Sequence, residues 1–114
     1  MSFLYILLIM IMTTGAPRNL LITPRQLIYH PGDSIECSAE GNPTPSYQWT
    51  DLISRTVIQG AVLNISEDMM EVDNIHTFLC TATNPYNSKS SIITFSVEGI
   101  DIFISRLGFK LTVL

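Results

Sequence analysis

The sequence is poor in charge, in cysteine and in histidine. Only 14% of its 114 residues are charged, and six basic residues stand against ten acidic ones, for a formal net charge of −4. This balance disfavours binding to nucleic acid, whose phosphates need a basic surface. Two cysteines and two histidines without ligand spacing predict no metal site. Hydrolase and P-loop motifs are also missing, so we expect no enzyme activity, no cofactor and no small-molecule substrate.

The N-terminus carries a short hydrophobic run at residues 3–12, ten residues without a charge. A membrane span needs about 20 apolar residues, whereas this length is typical of the apolar region of a signal peptide. Small residues at Thr13 and Gly15 predict cleavage between Gly15 and Ala16. Residues 1–15 are therefore predicted to be a signal peptide, and the protein to be extracellular, either secreted or at the cell surface. An uncleaved anchor or a buried helix is the alternative.

Export affects the chemistry of the two cysteines. An oxidising compartment permits a disulfide between Cys37 and Cys80, and only one pairing is possible. The two positions are 43 apart, and closing a loop of that size stabilises a fold by about 4 kcal/mol in the chain-entropy model. Two unpaired buried thiols are the alternative.

The residues between 34 and 97 alternate between apolar and polar in short runs, separated by Gly, Pro and Asn. This pattern is typical of an all-β sandwich. Two shorter segments at 20–23 and 26–29, separated by Pro24, and a third at 55–59 are predicted to be edge strands. Because side chains alternate faces along a strand, five strands have predicted inward sets: Ile35, Cys37 and Ala39; Tyr47 and Trp49; Ala61, Leu63 and Ile65; Phe78, Cys80 and Ala82; Ile93, Phe95 and Val97.

The run from Cys37 to Trp49 resembles a known family. It matches the Cys-x-Ala-x-Gly-x-Pro-x-Pro-x-x-x-Trp pattern of I-set and C2-set domains of the immunoglobulin superfamily, of the cell-adhesion molecule and receptor type. Leu63-x-Ile65 looks like the family's third core strand, and Cys80-x-Ala82-x-Asn84 like its second cysteine strand.

The resemblance implies an immunoglobulin-like antiparallel β-sandwich of Greek-key topology over residues 16–98. Its two sheets would be joined by one disulfide, with Trp49, Leu63 and Phe78 in the core. Residues 99–114 are then an apolar tail or the start of a truncated segment.

The sequence departs from the family pattern just before the second cysteine. Phe78 stands where the family has a tyrosine whose hydroxyl bonds back to the chain, and the loss of that bond costs about 0.5 to 1.5 kcal/mol. Asn74-Ile75-His76 replaces the Asp-x-Gly that leads into the tyrosine. We expect a slightly destabilised domain of unchanged topology.

The resemblance implies an extracellular, non-catalytic module that binds a protein partner in cell adhesion or cell-surface recognition. Its loops after the two cysteine strands share one end of the sandwich, and Pro43, Pro45 and Tyr86 are the candidate contacts. Alternatively, Tyr86 packs over its own hairpin, or a sheet face binds the partner, which is homophilic or heterophilic. Two rival functions are an intracellular structural I-set module and an ectodomain fragment of a receptor enzyme.

Asn64 is the predicted glycosylation site. Asn64-Ile65-Ser66 is a usable sequon, and the alternation of the strand places the Asn64 side chain in solvent. The sequon-like Asn42-Pro43-Thr44 has proline in the forbidden middle position. The protein is therefore expected to be a glycoprotein.

Overall fold

The computed structural model describes residues 14–70 and 75–99. Within these ranges no helix is long and apolar enough to cross a membrane. Residues 1–13 of the predicted signal peptide and residues 100–114 of the predicted tail lie outside the described residues. The elements of the described part are β1 (Gly15–Thr23), β2 (Ile28–Tyr29), β3 (Ser34–Asn42), β4 (Ser46–Asp51), β5 (Val57–Gln59), β6 (Val62–Asn64), a 3-10 helix (Glu67–Met70), β7 (Ile75–Asn84) and β8 (Asn87–Val97).

The strands form two sheets packed face to face. One sheet has the order β1-β3-β6 and the other the order β2-β8-β7-β4-β5. Every pairing is antiparallel except that of β2 with β8. The chain changes sheet five times, at every connection except β4–β5 and β7–β8, so its topology is not a simple meander. The predicted all-β antiparallel sandwich is confirmed.

A disulfide and a tryptophan lie at the centre of the core. Cys37 in β3 is bonded to Cys80 in β7, so the predicted disulfide is confirmed and joins the two sheets. Trp49 is fully buried, and its indole Nε1 donates a 3.0 Å hydrogen bond to the carbonyl of Ala61. This bond satisfies the one polar group that the indole brings into the core.

The rest of the core is aliphatic and aromatic. Leu63 and Phe78 are buried. The Phe78 ring stacks on Phe95 with ring centres 5.8 Å apart, and it meets Trp49 edge-on at 6.4 Å. Both arrangements are ones that aromatic pairs prefer.

The first strand is longer than its sequence pattern indicates. β1 begins at Gly15, which pairs with Asn42, whereas the pattern predicts strand only at residues 20–23. Register shifts on both sides of Arg18 interrupt the alternation of faces, so period-two reasoning cannot detect the strand there. The strand ends before Pro24, which has no amide hydrogen for a ladder. The strands in the segments predicted at 26–29 and 55–59 are shorter than expected, since β2 covers only Ile28–Tyr29 and β5 only Val57–Gln59.

Candidate protein-binding surface

Two loops lie together at one end of the sandwich. The β3–β4 loop contains residues 43–45, and the β7–β8 hairpin turns at residues 85–86. Ser46 pairs with Thr83, which places the start of β4 beside the end of β7. Gly15 pairs with Asn42, so the start of β1 lies at the same end.

Asn84 connects these three segments. It is buried, with 8% of its surface exposed, and its Nδ2 donates to the carbonyls of Gly15 and Pro43 at 2.8 and 3.0 Å. Its Oδ1 accepts from the amides of Tyr86 and Asn87 at 3.0 and 3.3 Å. One side chain thus fixes both loops and the start of β1. The cleavage predicted after Gly15 would remove one of its four partners.

Gly41 makes room for this arrangement. A Cβ at Gly41 would lie 3.3 Å from Nδ2 of Asn84, 3.1 Å from Cγ of Pro45 and 3.4 Å from Cα of Pro17. The distances to Asn84 and Pro45 are tighter than ordinary van der Waals contact, so glycine permits the close approach of the chain here.

One of the candidate contact residues, Pro45, is not at the surface. The sequence predicts that Pro45 contacts a partner, but the residue is buried and packs against Gly41. Its ring fills the space that glycine leaves, which the linear motif does not reveal. Pro45 therefore contributes to the packing of the loop and cannot contact a partner.

Pro43 and Tyr86 remain at the surface. Pro43 is exposed, and 59% of Tyr86 is accessible. The backbone of each is held by Asn84. The end of the sandwich therefore presents an aromatic side chain on a fixed backbone.

Asn84 was missed as a site residue by the sequence reasoning. The Cys80-x-Ala82-x-Asn84 motif includes it without assigning it a role. The alternation of faces along β7 indicates that Asn84 points inward, because it continues the inward series Phe78, Cys80 and Ala82. An inward polar residue needs hydrogen-bond partners, and this requirement could have drawn attention to it.

The sequon lies on the edge strand β6. Asn64 is exposed, whereas its neighbours Leu63 and Ile65 are buried. Ser66 is exposed as well. The geometry leaves the Asn64 amide accessible from solvent, and its glycosylation remains a prediction.

No cation site is present in the described part of the chain. Residues 14–70 and 75–99 contain no group of three or more His, Cys, Asp or Glu side chains that could hold a metal ion. Glu67 and Asp68 are exposed in the 3-10 helix. Of the acidic residues near them in sequence, Glu71 and Asp73 lie outside the described residues.

Comparison with known proteins gives a structural match. No protein-family model and no curated protein matches the chain. Among solved structures, the amphioxus IgVJ-C2 molecule is similar with a TM-score of 0.59 and 27% sequence identity, over 72% of this chain and 44% of that one. The chain folds as an immunoglobulin-like domain. It spans less than half the length of this structural neighbour.

The immunoglobulin-like domain has a five-stranded second sheet. By their order, β4, β7 and β8 correspond to strands C, F and G of the constant type, with the disulfide between strands B and F. β5 extends this sheet beyond β4, and β2 extends it beyond β8. The sheet therefore presents a broader outer face than a three-stranded one.

The immunoglobulin-like domain also has an altered corner before β7. Phe78 lacks the hydroxyl of the family's tyrosine, but the Nε2 of His76 lies 2.7 Å from the carbonyl oxygen of Met69 in the 3-10 helix. The His76 ring stacks on Phe95 with ring centres 5.7 Å apart. A side chain two residues earlier thus ties β7 to the preceding segment.

Proposed function

We propose that the protein is an extracellular, non-catalytic module that binds a protein partner in cell adhesion or cell-surface recognition. The immunoglobulin-like fold supports this proposal, because such domains commonly bind proteins and seldom catalyse reactions. The Cys37–Cys80 disulfide supports an extracellular location, since disulfides persist in oxidising compartments.

The observation that carries the proposal is the exposure of Tyr86 on a fixed loop. Tyrosine offers a large amphipathic contact area with only two side-chain torsions to immobilise. The backbone amide of Tyr86 is held by Asn84, which also holds the Pro43 loop. Fixing the loops before binding lowers the entropy lost when a partner docks. Tyr86 is therefore proposed as the central contact and Pro43 as a neighbouring one.

Two rival functions differ in compartment and in chain length. An intracellular structural module would keep its cysteines reduced, and the disulfide counts against it. An ectodomain fragment of a receptor enzyme would be extracellular as well. It would require sequence beyond residue 114.

The test begins with export from animal cells. The chain is expressed with and without residues 1–15, and we expect the protein in the medium or at the cell surface only when they are present. Export that does not depend on these residues would contradict the extracellular assignment.

Binding is tested with fluorescent tetramers of the exported chain applied to a panel of cells. Tyr86→Ser should reduce staining strongly. The control is Leu27→Ser, which removes an exposed apolar side chain at the opposite end of the sandwich, where the carbonyl of Leu27 accepts a 2.9 Å hydrogen bond from the amide of Ser96. Equal staining by the two variants would argue against the loop end as the binding site.

A further inference from the structure

The side chain of Asn87 contacts the backbone amide of the next residue in the chain. Asn87 is the first residue of β8, directly after the turn at residues 85–86, and it is exposed. The amide of Ser88 donates a 2.8 Å hydrogen bond to Oδ1 of Asn87. The Ser88 nitrogen therefore lies beside the carbonyl group of the Asn87 side chain.

The amide of Ser88 does not belong to the ladder between β7 and β8. Along an antiparallel strand, residues two apart direct their backbone groups to the same side. The Ile92 carbonyl is bonded to the Arg25 side chain at 3.3 Å, and the Ser96 amide is bonded at 2.9 Å to the segment before β2, so both point away from β7. Ser88 has the same parity in an uninterrupted register. Its nitrogen is therefore held by Asn87 and not by the sheet.

The other asparagines of residues 14–70 and 75–99 lack this arrangement. Asn42 and Asn84 each precede a proline, whose nitrogen carries no hydrogen. Asn64 precedes a β-branched residue whose amide is bonded to a distant carbonyl at 2.9 Å. Asn19 precedes a leucine, and its Nδ2 is bonded to a carboxylate at 2.8 Å. Within these ranges, a small following residue whose amide faces the asparagine side chain occurs at Asn87 alone.

We propose that Asn87 is a site of spontaneous deamidation, in which water converts the side-chain amide to a carboxylate. In the first step the Ser88 nitrogen loses its proton to a base in the solvent and attacks Cγ of Asn87. The new bond from nitrogen to Cγ closes a five-membered cyclic imide. The bond from Cγ to Nδ2 breaks, and Nδ2 takes up a proton and leaves as ammonia. The attack is intramolecular, so the positioning of the two groups raises its rate.

Water then opens the cyclic imide at one of its two carbonyl carbons. Attack at Cγ breaks the bond from Cγ to the Ser88 nitrogen and gives aspartate. Attack at the main-chain carbonyl carbon of Asn87 breaks the bond from that carbon to the Ser88 nitrogen and gives isoaspartate. In isoaspartate the main chain runs through Cβ and Cγ. Both products carry a carboxylate, and neither route needs an oxidant or a reductant.

Deamidation changes the surface next to Tyr86. Residues 42–46 and 84–88 contain no charged side chain, so the new carboxylate introduces a charge into both loops of this end. A partner that docks there has to remove water from this charge, which is costly unless the charge is paired. Isoaspartate also lengthens the main chain between Tyr86 and Ser88. We therefore expect deamidation to weaken binding at Tyr86, an effect that rests on the proposed function.

The experiment follows the full, disulfide-bonded chain during incubation at body temperature and mildly alkaline pH, which favours loss of the proton from the Ser88 nitrogen. Peptide mass spectrometry measures, at each asparagine and relative to the starting sample, the mass gain from the exchange of NH2 for OH. An isoaspartate-specific methyltransferase detects the second product. We expect deamidation at Asn87 to be at least about tenfold faster than at Asn19.

Two matched variants test the role of the Ser88 nitrogen. Ser88→Ile places a β-branched side chain beside the attacking atom, and Ser90→Ile makes the same change two residues further along β8. Both serines are exposed, and each hydroxyl is bonded to a threonine of β7, at 2.8 Å from Ser88 and 2.9 Å from Ser90. Ser88→Ile should slow deamidation at Asn87 at least about fivefold, and Ser90→Ile should leave it near wild type. Near-ultraviolet circular dichroism checks that each variant retains the fold.

The proposal would be overturned by equal rates at Asn87 and Asn19, or by equal slowing in the two isoleucine variants. The effect on binding is measured with tetramers of the incubated chain, compared with Asn87→Gln tetramers incubated in the same way, because glutamine closes a cyclic imide far more slowly. Wild-type staining should fall and Asn87→Gln staining should persist. Deamidation without loss of staining would contradict the effect at Tyr86. A fresh chain that stains no cell would count against the proposed function, and the mass measurement would still decide the deamidation.

Discussion

Replacing Asn84 by alanine tests whether one buried side chain holds the loop end of the domain together. The change removes two hydrogen bonds donated by Nδ2, to Gly15 and Pro43, and two accepted by Oδ1, from Tyr86 and Asn87. It also leaves a small void beside Gly41, whose ideal Cβ lies 3.3 Å from Nδ2. The backbone carbonyls and amides that lose these bonds then need water as their hydrogen-bond partner.

The free-energy cost follows from these bonds. A hydrogen bond contributes about 0.5 to 1.5 kcal/mol net, and the 3.3 Å contact with Asn87 stands at the weak end. Water can reach the exposed hairpin amides, so the loss of the two bonds from Nδ2 makes up most of the free-energy cost. We expect Asn84→Ala to lower the free energy of unfolding by about 2 to 3 kcal/mol, a large share of a small domain's stability.

A second variant separates shape from hydrogen bonding. Asn84→Asp keeps the shape of the side chain and both acceptor bonds, but it replaces the donating amide by a carboxylate oxygen facing two carbonyl oxygens. This repulsion should make Asn84→Asp at least as destabilising as the alanine variant at neutral pH.

The assay is unfolding in guanidinium chloride with linear extrapolation, followed by the fluorescence of Trp49. Trp49 is the sole tryptophan and is fully buried, so it reports loss of the core. The control is Asn87→Ala in the same hairpin, because Asn87 is exposed and does not adopt a positive φ. We expect it to cost about 0.5 kcal/mol or less. Equal costs for Asn84→Ala and Asn87→Ala would refute the assigned role of Asn84.

Three further predictions concern the core and the surface. Replacing Cys37 and Cys80 together by alanine should lower the free energy of unfolding by about 4 kcal/mol; a loss below about 1 kcal/mol in the same assay would contradict this. Asn64→Gln should abolish the mobility shift that glycosidase produces in the exported protein, and a shift that persists would exclude Asn64 as the acceptor. Phe78→Tyr should raise the melting temperature by roughly 2 to 8 °C, because its hydroxyl would enter a cleft that Ser66 and Asp68 also line; an unchanged or lower value in calorimetry would mean that the hydroxyl finds no partner there.

The sequence predicts the central strands well because their faces alternate without interruption. Phe78, Cys80 and Ala82 share one face of β7, and all three are buried. The disulfide was predictable because the chain has two cysteines and one possible pairing. Periodicity and covalent chemistry are local properties, and the linear sequence displays both.

The loop end could be predicted only in part, because it depends on contacts between distant segments. Asn84 reaches Gly15, 69 positions away, and Pro43, 41 positions away. Pro45 looked exposed in a Pro-rich loop, and only the packing against Gly41 shows that it is buried. The register shifts around Arg18 hid the first half of β1 in a similar way.

The corner before β7 shows that one structural requirement can be met by different side chains. The family pattern predicts a loss of stability at Phe78, since a hydroxyl is missing. The structure instead provides an imidazole at His76, which contacts the Met69 carbonyl and stacks on Phe95. The histidine occupies the position where the family has glycine, so two departures that look independent in the sequence are coupled in space. The destabilisation expected from Phe78 alone is therefore an upper limit, because the contact made by His76 offsets part of it.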